Sequence, residues 1–332
     1  MQQLLKNIWV DRTVLKEVEE FLVEWNSTSQ ELKAHTSGST GAPKQITLSK
    51  KGLLFSARNT NTFFNLNENS KALLCLPLAT IGGKMMLVRA LESKMTLFID
   101  SASSNPLRKR EEYFDFVAVT PMQLIKMLNE SIDKVRRIKY ILVGGAPMNE
   151  NLISRLKDEK ITVFLGYGMT ETASHVAIRK VGYENDEFYQ AMPGIRFSYG
   201  DNQTLKIHYP ALNDFPIETN DLVELIDCNR FKWLGRKDFV VNSGGIKIHI
   251  EAIENRLSNR IKCPFFVFGI PDKNLGEKLI LCIESSEKDL TMDFDFLGIQ
   301  KPRHVYFFKS FVYTPSGKVS RQETIKLLQL NQ

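Results

Sequence analysis

Between residues 71 and 165, five short apolar runs (72–76, 96–99, 116–119, 140–143 and 162–165) alternate with helix-like segments (84–91, 121–129 and 149–157). That alternation constrains the fold more than any other feature. Short strands separated by helices are joined by crossovers, so they predict a mainly parallel sheet covered on both faces. Thr120-Pro121 and the stretch from Pro147 to Asn149 read as strand-to-helix turns. Upstream, Val14, Leu15, Val18, Phe21, Leu22 and Trp25 share one face at helical spacing, which predicts an amphipathic helix over 13–25.

After Met192 the pattern changes to strand-like stretches at 204–209, 222–226 and 231–234, separated by Asp, Asn and Pro, and antiparallel β structure is expected. A smaller unit starts near Lys237: strands at 239–241 and 247–250, a helix at 251–257, strands at 265–268, 279–283 and 305–308, and a terminal helix at 320–330. The expected class is α/β. A large N-terminal domain (1–237) of mainly parallel sheet, helices and a β-subdomain precedes a small α+β C-terminal domain (238–332).

Composition matters mainly for what it excludes. At 43% hydrophobic and 25% charged residues the chain is ordinary globular protein, and no apolar run approaches the roughly 18 residues of a membrane span. Residues 1–10 lack the small-residue cleavage pattern of a signal peptide. Cys75, Cys228, Cys263 and Cys282 are scattered with no Cys-x-x-Cys pair, so a reducing, cytoplasmic location without zinc or disulfides is expected. The net charge of +6 favours anionic partners. Basic and aromatic residues are not interleaved, which points to polyphosphate rather than nucleic acid.

Four segments carry chemistry. In Thr36-Ser37-Gly38-Ser39-Thr40-Gly41-Ala42-Pro43-Lys44, glycines free the backbone N–H groups to face an anion, hydroxyls add donors and a lysine adds a mobile charge. The competing reading is a polar hairpin turn between strands ending at His35 and beginning at Gln45. Leu165-Gly166-Tyr167-Gly168-Met169-Thr170-Glu171-Thr172 lies at the C-terminal end of the fifth parallel strand, where open α/β sheets bind ligands. There an aromatic ring can stack on a base, a glycine can approach phosphate and a carboxylate can hold Mg²⁺, although a Tyr-Gly pair is also a common turn. Gly235-Arg236-Lys237-Asp238, leading to Ser243-Gly244-Gly245, suits ribose or phosphate contact or a plain loop. Thr314-Pro315-Ser316-Gly317-Lys318 puts a lysine in a turn that, on its own, reads as surface.

In order and spacing, these four segments together resemble the adenylate-forming superfamily of acyl-CoA synthetases, peptide-synthetase adenylation domains and luciferases, over residues 34 to 321. The resemblance implies ATP, Mg²⁺ and coenzyme A as ligands and a small carboxylic acid as substrate. It assigns the β- and γ-phosphates to Thr36, Ser37, Gly38, Ser39, Thr40, Gly41 and Lys44, adenine to Gly145, Ala146, Pro147 and Tyr167 with Gly168 beside it, the α-phosphate to Thr170 and Mg²⁺ to Glu171. Asp221 and Arg236 become ribose contacts, Asp238 the hinge of a mobile C-terminal domain and Lys318 its catalytic lysine. Gly245 falls beside the pantetheine tunnel, which favours thioester formation.

Two positions concern the acid. Thr80 replaces a histidine that shapes the acyl pocket in relatives, and Arg89, nine residues on, resembles the arginine of o-succinylbenzoate–CoA ligases in menaquinone biosynthesis. An arginine fork suits the second carboxylate of such an acid; the plainer reading is a helix-surface arginine. Other aryl or short-chain acids, transfer to a carrier protein and a non-catalytic nucleotide-binding remnant are the alternatives. Relatives carry a far longer region ahead of the phosphate loop, so a shortened N-terminal subdomain is expected, its exposed face covered by the 13–25 helix or by a second subunit in a homodimer.

Overall fold

The structure, a computed structural model, describes residues 7–35, 45–182, 187–258, 260–261, 263–286, 293–313 and 319–329. In chain order the strands are β1 (Ile8–Val10), β2 (Glu31–His35), β3 (Gln45–Ser49), β4 (Lys71–Leu74), β5 (Thr96–Ile99), β6 (Phe116–Val119), β7 (Tyr140–Val143), β8 (Val163–Gly168), β9 (His175–Val181), β10 (Tyr189–Ala191), β11 (Arg196–Tyr199), β12 (Thr204–His208), β13 (Ile217–Asp227) and β14 (Arg230–Arg236). The helices among them are α1 (Leu15–Asn26), α2 (Lys50–Phe63), α3 (Ile81–Ser93), α4 (Pro121–Glu130), α5 (Ile132–Val135) and α6 (Glu150–Asp158).

Twelve of these strands form one sheet in the order β1-β5-β4-β6-β7-β8-β9-β10-β14-β13-β12-β11. From β1 to β8 all neighbours are parallel; from β8 to β11 all are antiparallel. The expectation of a mainly parallel sheet with a separate β-subdomain is therefore corrected to a single mixed sheet. The reversal has a simple cause. Only the short stretch 169–174, with a 3-10 turn at Thr170–Thr172, joins β8 to β9. A parallel return needs a dozen or more residues, so β9 must run back beside β8.

The five apolar runs fall on β4 to β8, and buried parallel strands read as such runs because both faces are covered. α1 buries Val18, Phe21 and Leu22. α2 is announced by no apolar stripe: its buried face includes Lys50, Gly52, Ser56, Thr60 and Asn61 beside Leu53 and Ala57. Lys50 is held there by the carbonyls of Glu24, Trp25 and Ser27, at the C-terminal end of α1.

The chain leaves β14 through the turn Lys237–Phe239 into β15 (Val240–Ser243), β16 (Ile246–His249), α7 (Ile250–Ser258), β17 (Phe265–Asp272), β18 (Gly276–Glu284), β19 (His304–Phe308) and α8 (Arg321–Gln329). These strands form a second sheet, β16-β15-β18-β17, with β19 parallel to β18. Its two faces have separate cores: α7 contributes Ile253 and Leu257 to one, α8 contributes Ile325 to the other. Among the described residues no helix is long and apolar enough to cross a membrane, and all four cysteines are free.

Candidate active site

The described part of the site lies where the sheet changes direction. β7 and β8 are parallel neighbours, so Gly144 to Pro147 and Tyr167 to Glu171 emerge side by side at their C-terminal ends. Gly145 has a φ of 87°, a backbone state that costs a side chain, and Gly145, Ala146 and Pro147 are all exposed. Tyr167 presents its ring edge-on to Phe231 and Tyr189, at 5.1 and 5.7 Å. Its hydroxyl donates to Asp221 Oδ2 at 2.6 Å, and Trp233 Nε1 donates to the other carboxylate oxygen at 3.1 Å. Burial, then the charge of Asp221, raises the Tyr167 phenol well above its usual range, so it stays a donor.

Asp221 is buried, and its β13 position pairs with Arg236 on β14. Arg236 NH2 donates to Asp238 Oδ2 at 2.8 Å, and the Arg236 backbone N–H donates to Glu251 Oε2 at 3.2 Å. Four of the residues singled out in the sequence, Tyr167, Asp221, Arg236 and Asp238, are thus linked by hydrogen bonds or strand pairing. Trp233 and Glu251, which complete their contacts, carried no sequence signal.

Thr170 is buried and Glu171 is exposed on the 3-10 turn that follows. The turn ends at Ala173, a buried residue at φ 63°; a non-glycine residue in this region is strained and persists only where packing imposes it. Thr172 imposes part of it, its hydroxyl bonding the Met169 N–H and the carbonyls of Met169 and Ser174. Gly168 is explained by packing: a Cβ there would sit 2.2 Å from the Ser174 carbonyl oxygen. Its lack of a side chain is required by β9, whether or not phosphate approaches.

Arg89 is not on a helix surface. It is buried on α3, with NH2 donating to Ser174 Oγ at 2.5 Å, NH1 facing the Met86 sulfur and Nε unpartnered. Among the described residues it has no carboxylate partner, and burial lowers its pKa to about 10. Ser174 Oγ also lies 3.2 Å from His175 Nδ1, and His175 Nε2 lies 3.2 Å from Thr60 Oγ1. Burial, then the charge of Arg89, holds His175 well below its usual range, so this ring is neutral.

The remaining positions have other occupations. Thr80 caps α3, accepting the Gly83 N–H and donating to the Pro77 carbonyl, so its hydroxyl is committed to the helix start. Gly244 and Gly245, at φ 58° and 81°, form the two-residue turn between β15 and β16; the positive φ at both positions is reason enough for glycine there. Thr36, Ser37, Gly38, Ser39, Thr40, Gly41 and Lys44 lie outside the described residues, as does Lys318. The strands flanking the first loop do pair as a hairpin, His35 opposite Gln45. No group of three His, Cys, Asp or Glu side chains able to hold a metal occurs among the described residues. A Mg²⁺ ion at Glu171 would therefore take most of its ligands from phosphate and water, which is its ordinary habit.

Residues 33–207 match the family model described as AMP-binding enzyme, more than half of the chain. The chain belongs to this family of adenylate-forming enzymes. Relatives include the 2-succinylbenzoate–CoA ligase of Listeria monocytogenes, 21% identical over 91% of this chain and 71% of that one. The enzyme of the same name from Bacillus subtilis is 25% identical over 83% and 64%, so the chain spans under two thirds of that relative. Among solved structures, an acyl-CoA synthetase (AMP-forming)/AMP-acid ligase II-like protein from Dyadobacter fermentans is 37% identical over 93% of both chains, with a TM-score of 0.62. The o-succinylbenzoate coenzyme A synthetase of Bacillus subtilis, solved with ATP and magnesium ion, shares the fold at a TM-score of 0.75 and 18% identity, over 98% of this chain and 81% of that one.

Proposed function

We propose that this AMP-binding enzyme is an acid–CoA ligase, that it forms acyl-AMP from ATP and a carboxylate before passing the acyl group to coenzyme A, and that the acid is o-succinylbenzoate. The observation that carries the reaction is the convergence of Tyr167, Asp221 and Arg236 beside the turn bearing Thr170 and Glu171. These groups come from β8, β13 and β14, and their donors and acceptors suit a base, a ribose and a phosphate.

In the first half-reaction a carboxylate oxygen attacks the α-phosphorus and the bond to the bridging oxygen breaks, releasing pyrophosphate. Two anions must meet, so the barrier is mainly electrostatic. Thr170 would donate to the α-phosphate and Glu171 would hold Mg²⁺, which neutralises phosphate charge; Lys318 and Lys44 would add positive charge and the hydroxyls of segment 36–44 further donors. In the second half-reaction the thiol sulfur attacks the acyl carbonyl and AMP leaves. Residues 1–237 and 238–332 act as two domains, turning about Asp238 between the half-reactions. Asp238 sits in the turn between the two sheets, which supports that assignment.

Arg89 supports the choice of acid. A buried guanidinium whose one oxygen partner among the described residues is the Ser174 hydroxyl, directly after the Glu171 turn, suits the carboxylate of o-succinylbenzoate that does not react. The names of the Listeria and Bacillus relatives favour the same acid.

Pyrophosphate release across a panel of aryl and short-chain acids, with and without coenzyme A, tests the reading. Turnover with o-succinylbenzoate that needs coenzyme A is expected; turnover only with a phosphopantetheinylated carrier protein, or silence with every acid, would overturn it. Lys318→Ala is expected to lose acyl-AMP formation yet convert supplied acyl-AMP to thioester, and equal loss of both steps would remove the role given to Lys318.

A further inference from the structure

The edge strand of the small sheet is closed by side chains. β17 pairs only with β18, which leaves the outward N–H and carbonyl of Val267 without a strand partner. Glu254 of α7 accepts that N–H at 2.7 Å, and Arg321 of α8 reaches that carbonyl at 3.5 Å. The two side chains also pair with each other at 2.9 Å, only 17% and 22% exposed. The guanidinium lies 4.7 Å from the centre of the Phe239 ring, in the turn that joins the two sheets. One side chain therefore ties α8, α7, the sheet edge and the connecting turn together.

Arg321 also begins α8 three residues after Lys318. The backbone on either side of the segment 314–318 is anchored as well: Tyr313 pairs with Val319, the Ser320 N–H donates to the Val312 carbonyl, and Glu284 accepts the Phe311 N–H and the Tyr313 hydroxyl. Glu284 holds one flank to the end of β18, and Arg321 holds the other to α7 and to the connecting turn.

We propose that Arg321, held by Glu254 and Phe239, is a positioning residue for adenylate formation, fixing the root of the lysine-bearing segment relative to the turn at Asp238. This rests on the reading that Lys318 serves the first half-reaction. A planar guanidinium can pair, stack and reach a carbonyl at once, and an ammonium cannot.

Two full-length variants test it, Arg321→Lys and the pair Glu254→Met with Arg321→Met. The pair strands neither charge but frees the outward groups of Val267, so circular dichroism and the thioester half-reaction check that the fold is kept. Acid-dependent ATP–pyrophosphate exchange is expected to fall about 100-fold in the pair, the scale of a small misplacement of a catalytic group, and less in Arg321→Lys. Thioester formation from supplied acyl-adenylate and coenzyme A is expected to stay within about twofold. The proposal is overturned if both half-reactions fall by the same factor, or if exchange is unchanged in the pair. If the unmodified chain shows no exchange with any acid, the function itself fails and takes this inference with it; exchange by the unmodified chain isolates the role of Arg321.

Discussion

Two arginines, Arg89 buried and Arg321 half-buried, show opposite uses of charge. Arg321 on α8, beside the small sheet, faces Glu254, lies over Phe239 and is satisfied within the protein. Arg89 on α3, beside the large sheet, has one hydroxyl, one sulfur and an unpartnered Nε, with no acid among the described residues. A paired charge is structural, and removing one partner strands the other. An unpaired buried cation costs stability, a cost that a ligand carboxylate would offset.

Breaking each pair in turn tests the contrast. The largest effect is expected for Arg89→Met: kcat/KM for o-succinylbenzoate falls by about two orders of magnitude or more, while benzoate turnover and resistance to urea hold or improve. A loss shared equally by both acids would show that Arg89 shapes the fold and not the acid site. Glu254→Ala acts the other way, with stability falling by about 2 kcal/mol in chemical denaturation because the half-buried Arg321 loses its partner and Val267 N–H its acceptor.

A smaller effect separates the regions by pH. Burial, then the nearby Glu254, raises Glu251 to about 7 against an ordinary 4.5. The folded state holds a proton that the unfolded state has lost, so this contribution is full below about pH 4.5 and is lost as pH rises through about 7. His175, lowered from 6.5, has the reverse sign: its contribution is present above pH 6.5 and is lost as pH falls through the depressed value. Unfolding free energies of Glu251→Gln and His175→Gln, measured from pH 5 to 8, are expected to flatten opposite slopes; slopes of one sign would break the comparison. The smallest effect is expected for Gly245→Ala, about 1 kcal/mol from forcing an alanine to positive φ. Loss of thioester formation without that destabilisation would place Gly245 on the coenzyme A path.

Much of the large sheet was legible because its parallel strands are buried on both faces, which leaves unbroken apolar runs at β4 to β8. α2 was not, since its buried face is built from Ser56, Thr60, Asn61 and Lys50, whose partners lie elsewhere in the chain. The direction of β9 was not read either, although the shortness of the 169–174 link contained it. Within the site, two glycines have local reasons that the sequence did not reveal: at Gly168 the backbone at Ser174 and His175 passes close, and Gly245 takes a positive φ in a two-residue turn.

By itself the sequence determined the alternation that builds the sheet and the motifs that mark a nucleotide-activating enzyme, because periodicity and residue type are local properties. The tertiary structure alone decided that Tyr167 meets Asp221 across 54 residues and that Arg89 is buried with no acid beside it among the described residues. Such facts depend on which surfaces exclude water, and that is set only when distant strands and helices pack.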